Sequence, residues 1–142
     1  MGSYKVIETM AFADCALSIE GRSLADLFET AARALAELMV DPATVEPRVR
    51  RTVTLEAASL DLLLYDWLAE LIFLKDSEQL VVTRAEVEVE AGTPCRLRAR
   101  CVGGVIDRGR TALRADPKAV TFHQFTLEPR GAGWRARVVI DI

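Results

Sequence analysis

Apolar residues recur at helical spacing in two stretches of the chain. The first stretch follows Ser23, whose hydroxyl suits a helix N-cap, and Asp26 stands where a capping box has its acidic residue. Asp41-Pro42 is expected to end this helix, because the residue before a proline is disfavoured in the helical region. The apolar face that the spacing predicts comprises Leu24, Leu27, Phe28, Ala31, Leu35, Leu38 and Met39.

A second helix is predicted from an N-cap at Ser59 to about Lys75. The residues expected to face away from its apolar side are Tyr65, Asp66, Glu70 and Lys75. The apolar side itself comprises Leu60, Leu63, Leu64, Trp67, Leu68, Leu71 and Ile72. Both helices are apolar on one side, so we expect both to pack on a sheet.

Strict alternation of apolar and charged residues predicts a β-hairpin around Gly92-Thr93-Pro94. If that turn sets the register, three glutamates face three arginines on the solvent side: Glu90 with Arg96, Glu88 with Arg98, and Glu86 with Arg100. Each such pair would contribute roughly 0.2–1 kcal/mol. An alternative is that the arginines bind RNA, but the facing glutamates favour a self-neutralised surface.

The remaining pattern predicts strands at residues 5–10, 16–20, 51–57, 119–128 and 134–140. Residues 103–117 form a long, turn-rich connection, a kind of segment that is more often functional or mobile than structural. The order of elements indicates an α+β fold. We expect one domain over residues 1–142, with a largely antiparallel or mixed β-sheet and two main helices packed on one face.

Composition narrows the classes of function. The formal net charge of −3 disfavours strong direct binding of nucleic acid, which needs a clustered excess of Lys and Arg. No apolar run approaches the roughly 20 residues of a membrane span, and no signal peptide is apparent at the start, so no membrane contact is expected. The three cysteines, Cys15, Cys95 and Cys101, form no CxxC pair and suit a reduced cytoplasm.

Two features are candidates for chemistry. His123 is the only histidine, and neither a catalytic triad motif nor a phosphate-binding glycine loop accompanies it, so a strand residue is favoured over a catalytic one. The sequence finishes at Asp141-Ile142, which places a side-chain carboxylate beside the main-chain carboxylate. With Asp14 as a third carboxylate, these oxygens would suit Mg²⁺, Mn²⁺ or Ca²⁺; the alternative is that they are simply solvated.

Four segments in a fixed order resemble the archease family across nearly the whole chain. Each is weakly specific alone, but their order and intervals fit the family together. They are Ala11-Phe12-Ala13-Asp14 with the helix start at 21–28, the leucine-rich segment 62–71, the block Lys118-Ala119-Val120-Thr121-Phe122-His123, and the final Asp141-Ile142.

The resemblance implies a protein cofactor rather than an enzyme. Archeases assist the tRNA-splicing RNA ligase, promoting its guanylylation and repeated turnover, and a chaperone-like role has also been proposed for the family. Carried over, the family's divalent-metal ligands are Asp14, Asp141 and the carboxylate of Ile142. Lys118 either adds positive charge near that site or is a surface lysine where a strand begins.

The sequence departs from the family at three positions. Ala11 and Phe12 stand where the family motif has His and Thr, and Thr111 or a neighbour stands where a His is expected in the long connection. Losing polar groups beside a metal ligand commonly changes metal affinity by roughly 10–100-fold. A metal-independent, chaperone-like binding module therefore stays open as the second hypothesis.

Overall fold

The computed structural model describes the backbone of residues 1–11 and 14–142, and the side chains of residues 1–7 and 14–142. Phe12, Ala13 and the side chain of Ala11, three positions of the N-terminal motif, lie outside the described residues. The helices are α1 (Leu24–Met39) and α2 (Leu60–Glu78), with a 3₁₀ turn at Pro42–Thr44. The strands are β1 (Ser3–Ala11), β2 (Asp14–Gly21), β3 (Val49–Ala57), β4 (Leu80–Glu90), β5 (Cys95–Val105), β6 (Ala119–Arg130) and β7 (Gly133–Asp141).

The strands divide between two antiparallel sheets. One sheet has the order β1-β2-β7-β6, and the other has the order β3-β5-β4. The α+β class, the antiparallel pairing and the two helices predicted from the sequence are confirmed, and the structure refines the prediction by separating two sheets. The helices contact strands of both sheets, α1 mainly β4 and β2, and α2 strands β3, β4, β5 and β6.

Both helices begin at the predicted serine caps. Ser23 Oγ accepts a hydrogen bond from the Asp26 N–H at 3.0 Å, and Ser59 Oγ accepts one from the Leu62 N–H at 3.2 Å. The Asp26 carboxylate accepts hydrogen bonds from the main-chain N–H groups of Arg22 and Gly2 rather than from Ser23. It therefore joins the start of α1 to the start of β1.

One continuous apolar core joins the helices to the inner faces of both sheets. Trp67 is fully buried in it, as predicted, and its indole N–H donates to the Phe28 carbonyl at 3.0 Å, which links α2 to α1. Because that donor is satisfied, the indole can be buried without leaving a polar group unpaired. In the described residues, no helix is long and apolar enough to cross a membrane.

The register predicted for the β4–β5 hairpin is confirmed. Glu86 is the partner of Arg100, Glu88 of Arg98, and Glu90 of Arg96. The ion pairs differ in part from the register, since Arg100 pairs with Glu86 at 2.9 Å but Arg96 pairs with Glu56 of β3 at 3.4 Å. Three strands therefore contribute to neutralising the outer face of this sheet.

The connection between β5 and β6 is held in place by main-chain hydrogen bonds. It begins later than predicted, because β5 continues past Gly103 to Val105. Gly103 fits within the strand because a Cβ there would lie 2.0 Å from the Val81 carbonyl oxygen. The N–H of Arg114 donates to the Met39 carbonyl at 2.8 Å, and that of Ala115 donates to the Leu38 carbonyl at 2.9 Å. These bonds satisfy carbonyls at the end of α1, so the connection has a structural role that periodicity did not reveal.

Candidate functional site

Asp14 and Asp141 lie opposite each other on paired central strands. Asp14 is the first residue of β2, Asp141 is the last residue of β7, and the antiparallel register makes them direct partners. Directly opposed residues in such a pair have Cβ atoms about 4.5–5.5 Å apart and point to the same side. The pairing of β2 with β7 thus brings together two carboxylates that are far apart in the sequence.

The two carboxylates project from the sheet face that lies away from the core. Cys15 and Leu17 of β2 and Ile140 of β7 belong to the core cluster. Side chains alternate along a strand, so Asp14 and Asp141 occupy the opposite face. Both residues are half-buried, and each lies at an end of its strand.

Lys118 is adjacent to this pair through its main chain. Its N–H donates to the Asp141 carbonyl oxygen at 2.7 Å, and the next residue, Ala119, is the β6 partner of Asp141. The Lys118 side chain is exposed, and it forms no ion pair with any side chain that the structure describes. The sequence-predicted residues Asp14, Asp141 and Lys118 therefore converge at one end of the four-stranded sheet, with Ile142 next along the chain.

The donor set at this end suits a hard cation if a main-chain group completes it. Among the side chains of residues 1–7 and 14–142, no group of three His, Cys, Asp or Glu is placed to hold a metal ion. Asp14 and Asp141 supply two carboxylates, and the main-chain carboxylate of Ile142 would be the third oxygen donor. Carboxylate oxygens are the ligands that Mg²⁺, Mn²⁺ and Ca²⁺ prefer, so the residues present fit such an ion.

His123 lies in an irregular part of β6 rather than in the regular alternation that the sequence predicts. The β6–β7 register shifts between Thr121 and Thr126, and Gln124 has a left-handed backbone with φ 52°. His123 is exposed, and its main-chain N–H donates to Thr121 Oγ1 at 3.3 Å. Nothing in this geometry places a nucleophile or an orienting carboxylate on the imidazole among the described residues.

Lys75 is the main residue that sequence reasoning placed wrongly. It was expected to face away from the core, but only 8% of its surface is exposed. Its Nζ contacts Asp116, donates to the Pro117 carbonyl at 2.7 Å, and pairs with Asp76 at 2.7 Å. Burial works to lower the pKa of Lys75, but the hydrogen bonds and charges of Asp116 and Asp76 outweigh it and raise the pKa.

A cluster of aromatic side chains between α2 and β6 was also missed. Tyr65 stacks on Phe122 with ring centroids 4.0 Å apart, and Phe125 meets both rings edge-on. Phe122 is 57% exposed, so the cluster reaches the surface. The signal available in the sequence was the Phe-x-x-Phe spacing around the β6 irregularity, which strand alternation alone does not explain.

Comparison with known proteins gives a consistent result over the same residues. The model of the archease protein family matches residues 4–142. Protein archease of Archaeoglobus fulgidus is 35% identical over 130 residues, which covers 92% of this chain and 93% of that protein. Protein archease of Thermococcus gammatolerans is 36% identical over 132 residues, with 92% and 93% covered.

Solved structures share the fold. The solution structure of Methanobacterium thermoautotrophicum protein 1598 matches with a TM-score of 0.78 and 30% identity, covering 99% of this chain and 98% of that one. The crystal structure of a Thermotoga maritima archease, described as a possible chaperone, matches with a TM-score of 0.62 and 23% identity, covering 97% and 96%. With the family model matching almost every residue, this chain belongs to the archease family.

Proposed function

We propose that this archease activates an RNA ligase of the tRNA-splicing type. It promotes guanylylation of the ligase and its multiple turnover in tRNA splicing or RNA repair, and it is not itself an enzyme. A divalent metal ion held by Asp14, Asp141 and the main-chain carboxylate of Ile142 is part of this activity. Lys118 contributes positive charge beside the same site.

The opposition of Asp14 and Asp141 is the observation that carries the proposal. Like charges placed directly opposite each other across two strands are destabilising unless something compensates them. The part of the chain that the structure describes contains no salt bridge to either carboxylate. A bound cation is the compensation that oxygen ligands of this kind accept most readily.

The residues of the chain have separate tasks at this end of the sheet. The β2–β7 ladder holds the two aspartates at a fixed separation, and rigid strands position ligands more accurately than loops do. The positive charge of Lys118 attracts an approaching phosphate group. A divalent cation, when bound, supplies Lewis-acid charge for phosphate oxygens, which is the chemistry that guanylylation of a ligase requires.

A protein partner fits the surface better than direct RNA binding does. The chain has 18 Lys and Arg against 21 Asp and Glu. On the outer face of β3-β5-β4, Arg96 and Arg100 are paired with Glu56 and Glu86 rather than left for phosphates. Affinity for RNA would therefore come through the ligase, not through a basic surface of this chain.

A chaperone-like, metal-independent role is the second candidate. Ala11 and Phe12 replace the polar residues that the family motif places before Asp14, which removes side chains that could orient a ligand. The T. maritima relative is also described as a possible chaperone. In this alternative, the protein stabilises an RNA-processing enzyme and Asp14 is dispensable.

Ligation by the cognate ligase under single-turnover and multiple-turnover conditions separates the two candidates. Asp14→Asn is compared with Glu20→Gln, a carboxylate on the same strand and the same face but at the other end of β2. We expect Asp14→Asn to lower multiple-turnover stimulation by roughly 10–100-fold or more, since it removes a metal ligand rather than an outer partner. Glu20→Gln should retain it.

Two results would contradict the proposal. If folded wild-type protein stimulates neither guanylylation nor turnover, ligase activation is not its function. If Asp14→Asn stimulates as well as wild type, the metal-dependent mechanism fails and the chaperone-like role is favoured. Calorimetric titration with Ca²⁺, Mn²⁺ and Mg²⁺ then shows whether Asp14 binds an ion at all.

A further inference from the structure

Lys75 is a buried cation that contacts the segment leading to the candidate site. Its Nζ donates to the carbonyl of Pro117 and contacts the carboxylate of Asp116, both in the segment that leads into β6. Asp76, next to it on α2, supplies a further carboxylate at 2.7 Å. The end of α2 is thus attached to residues 116 and 117 through one ammonium group.

The attached segment leads directly to the proposed metal ligands. Lys118 follows Pro117, and its N–H donates to the Asp141 carbonyl at 2.7 Å. Ala119, the first residue of β6, is then the ladder partner of Asp141. Any freedom in residues 116 and 117 would be transmitted first to Lys118 and to the end of β7.

A lysine at this buried position needs a reason other than stability. Taking an ammonium out of water is costly, and replacing buried ion pairs by well-packed apolar residues is often neutral or stabilising. An apolar residue would continue the buried face of α2, where Leu71, Ile72 and Leu74 precede it. What an apolar residue cannot do is hold the Pro117 carbonyl and Asp116 in one place.

We propose that Lys75 is a positioning residue that fixes the start of β6, and through it the placement of Lys118 and Asp141. This inference rests on the proposed function of the Asp14–Asp141 end of the sheet. Lys75 does not touch the metal or the partner in this scheme. It acts through Pro117 and the Lys118 N–H.

Amide hydrogen exchange tests the positioning role without any ligase. In Lys75→Met, we expect the Lys118 amide to exchange about tenfold faster or more, because its hydrogen bond to Asp141 opens more often. Amides at the far end of the β2–β7 ladder, where Glu20 pairs with Arg135, should keep their protection. Lys75→Arg retains the charge and N–H donors, so it should restore part of the Lys118 protection.

Arg51→Met is the matched control variant. Arg51 pairs with Glu78 near the same end of α2, and its Nη1 donates to a Glu78 oxygen at 2.8 Å. The pair joins α2 to β3 and is exposed, so its loss removes a cation from the same helix end without releasing Pro117. A general loosening of α2 would speed Lys118 exchange in both variants, whereas positioning predicts the effect in Lys75→Met alone.

Metal binding and ligase stimulation provide the functional readout. In Lys75→Met, we expect Mn²⁺ affinity to fall by roughly 10-fold, the lower end of the effect of partners that orient ligands. Maximal stimulation at saturating protein should fall as well, whereas mere loss of folded protein would change only the concentration needed. Unchanged Lys118 exchange together with unchanged Mn²⁺ affinity in folded Lys75→Met would overturn the inference.

The outcomes remain distinguishable from failure of the proposed function. If wild type binds no Mn²⁺ and stimulates no ligase, but Lys118 exchange still depends on Lys75, the proposed function fails and the positioning role stands. If Lys75→Met does not fold, Lys75→Gln decides, because glutamine keeps a polar side chain at the buried position but is one bond shorter and loses the ammonium that donates to the Pro117 carbonyl. Unaltered Lys118 exchange in folded Lys75→Gln would then overturn the inference.

Discussion

Replacing Asp14 by Asn should stabilise the metal-free protein and abolish its stabilisation by metal. Asp14 and Asp141 are direct partners across β2 and β7, so their charges repel in the absence of a cation. Asn keeps the shape of the side chain but removes one of the two charges. The substitution therefore separates the repulsion between the two carboxylates from the stabilisation by a bound cation.

The magnitudes follow from the geometry. Two unit charges about 5 Å apart repel by about 0.8 kcal/mol in a water-like dielectric, which agrees with the roughly 0.2–1 kcal/mol for cross-strand pairs. Asp14→Asn should raise the midpoint of thermal unfolding in EDTA by about 1–4 °C for a domain of this size. A cation at 100 times its dissociation constant should stabilise the wild type by about 2.7 kcal/mol, which is about 8 °C.

Calorimetric unfolding in EDTA and in excess Mn²⁺ or Ca²⁺ measures both effects. In EDTA, wild type should unfold at a lower temperature than Asp14→Asn; with metal, it should unfold at a higher temperature. Glu20→Gln is the control, because Glu20 has Arg135, a residue of opposite charge, as its β7 partner, so its loss relieves no repulsion. In EDTA, that variant should not unfold at a higher temperature than wild type, and it should keep the full response to metal.

Two results would refute this reasoning. If Asp14→Asn unfolds well below wild type in EDTA, Asp14 makes favourable contacts that outweigh repulsion from Asp141. If metal raises the midpoint of wild type and Asp14→Asn equally, the cation binds elsewhere. Either result would remove the principal support for the proposed metal site.

Two further predictions concern stability. Trp67→Phe should lower the free energy of unfolding by roughly 1–3 kcal/mol in urea titrations, because it removes the hydrogen bond to the Phe28 carbonyl and leaves a void between the helices. A smaller change would mean that neighbouring side chains fill the void. Burial raises the pKa of the Cys101 thiol from 9.0 to about 11, so the thiol ionises in the unfolded chain before it does in the folded one. The free energy of unfolding should therefore be unaffected by this group below pH 9.0 and fall as pH rises toward about 11. Urea titrations across that range should give a shallower fall for Cys101→Ala, and an identical slope would exclude Cys101 as its source.

Local patterns in the sequence were sufficient to predict those parts of the fold that depend on contacts between residues close in the sequence. Ser23 and Ser59 cap the helices as predicted, since an N-cap hydroxyl bonds to an N–H three residues on. The Glu86–Arg100 register followed from a short turn and strict alternation. The division into two sheets could not be predicted from local patterns, because it depends on the pairing of β2 with β7, which are far apart in the sequence.

The sequence named the candidate residues but not their geometry. Asp14 and Asp141 were named as carboxylates that could share an ion, and the family resemblance named them again, with Lys118 close to the same end of the molecule. The structure adds that Asp14 and Asp141 are ladder partners and that the Lys118 N–H donates to the Asp141 carbonyl. Lys75 was misplaced because helical periodicity describes only the helix itself. Its partners Asp116 and Pro117 come from the β5–β6 connection, whose packing no periodic signal indicates.

The placement of the site on β2 and β7 explains why the neighbouring contacts matter. These are the two central strands of their sheet, each paired on both sides, and they resist the separation that two repelling carboxylates favour. Asp141 is the last residue of β7, so its position depends on few further ladder bonds. The Lys118 N–H donates one hydrogen bond to the Asp141 carbonyl from the β6 side, and Lys75 Nζ donates to the carbonyl of Pro117, the preceding residue. In the proposed scheme, the repulsion between Asp14 and Asp141 and the burial of Lys75, which is 8% exposed, have one explanation: both follow from holding the proposed oxygen ligands at a fixed place.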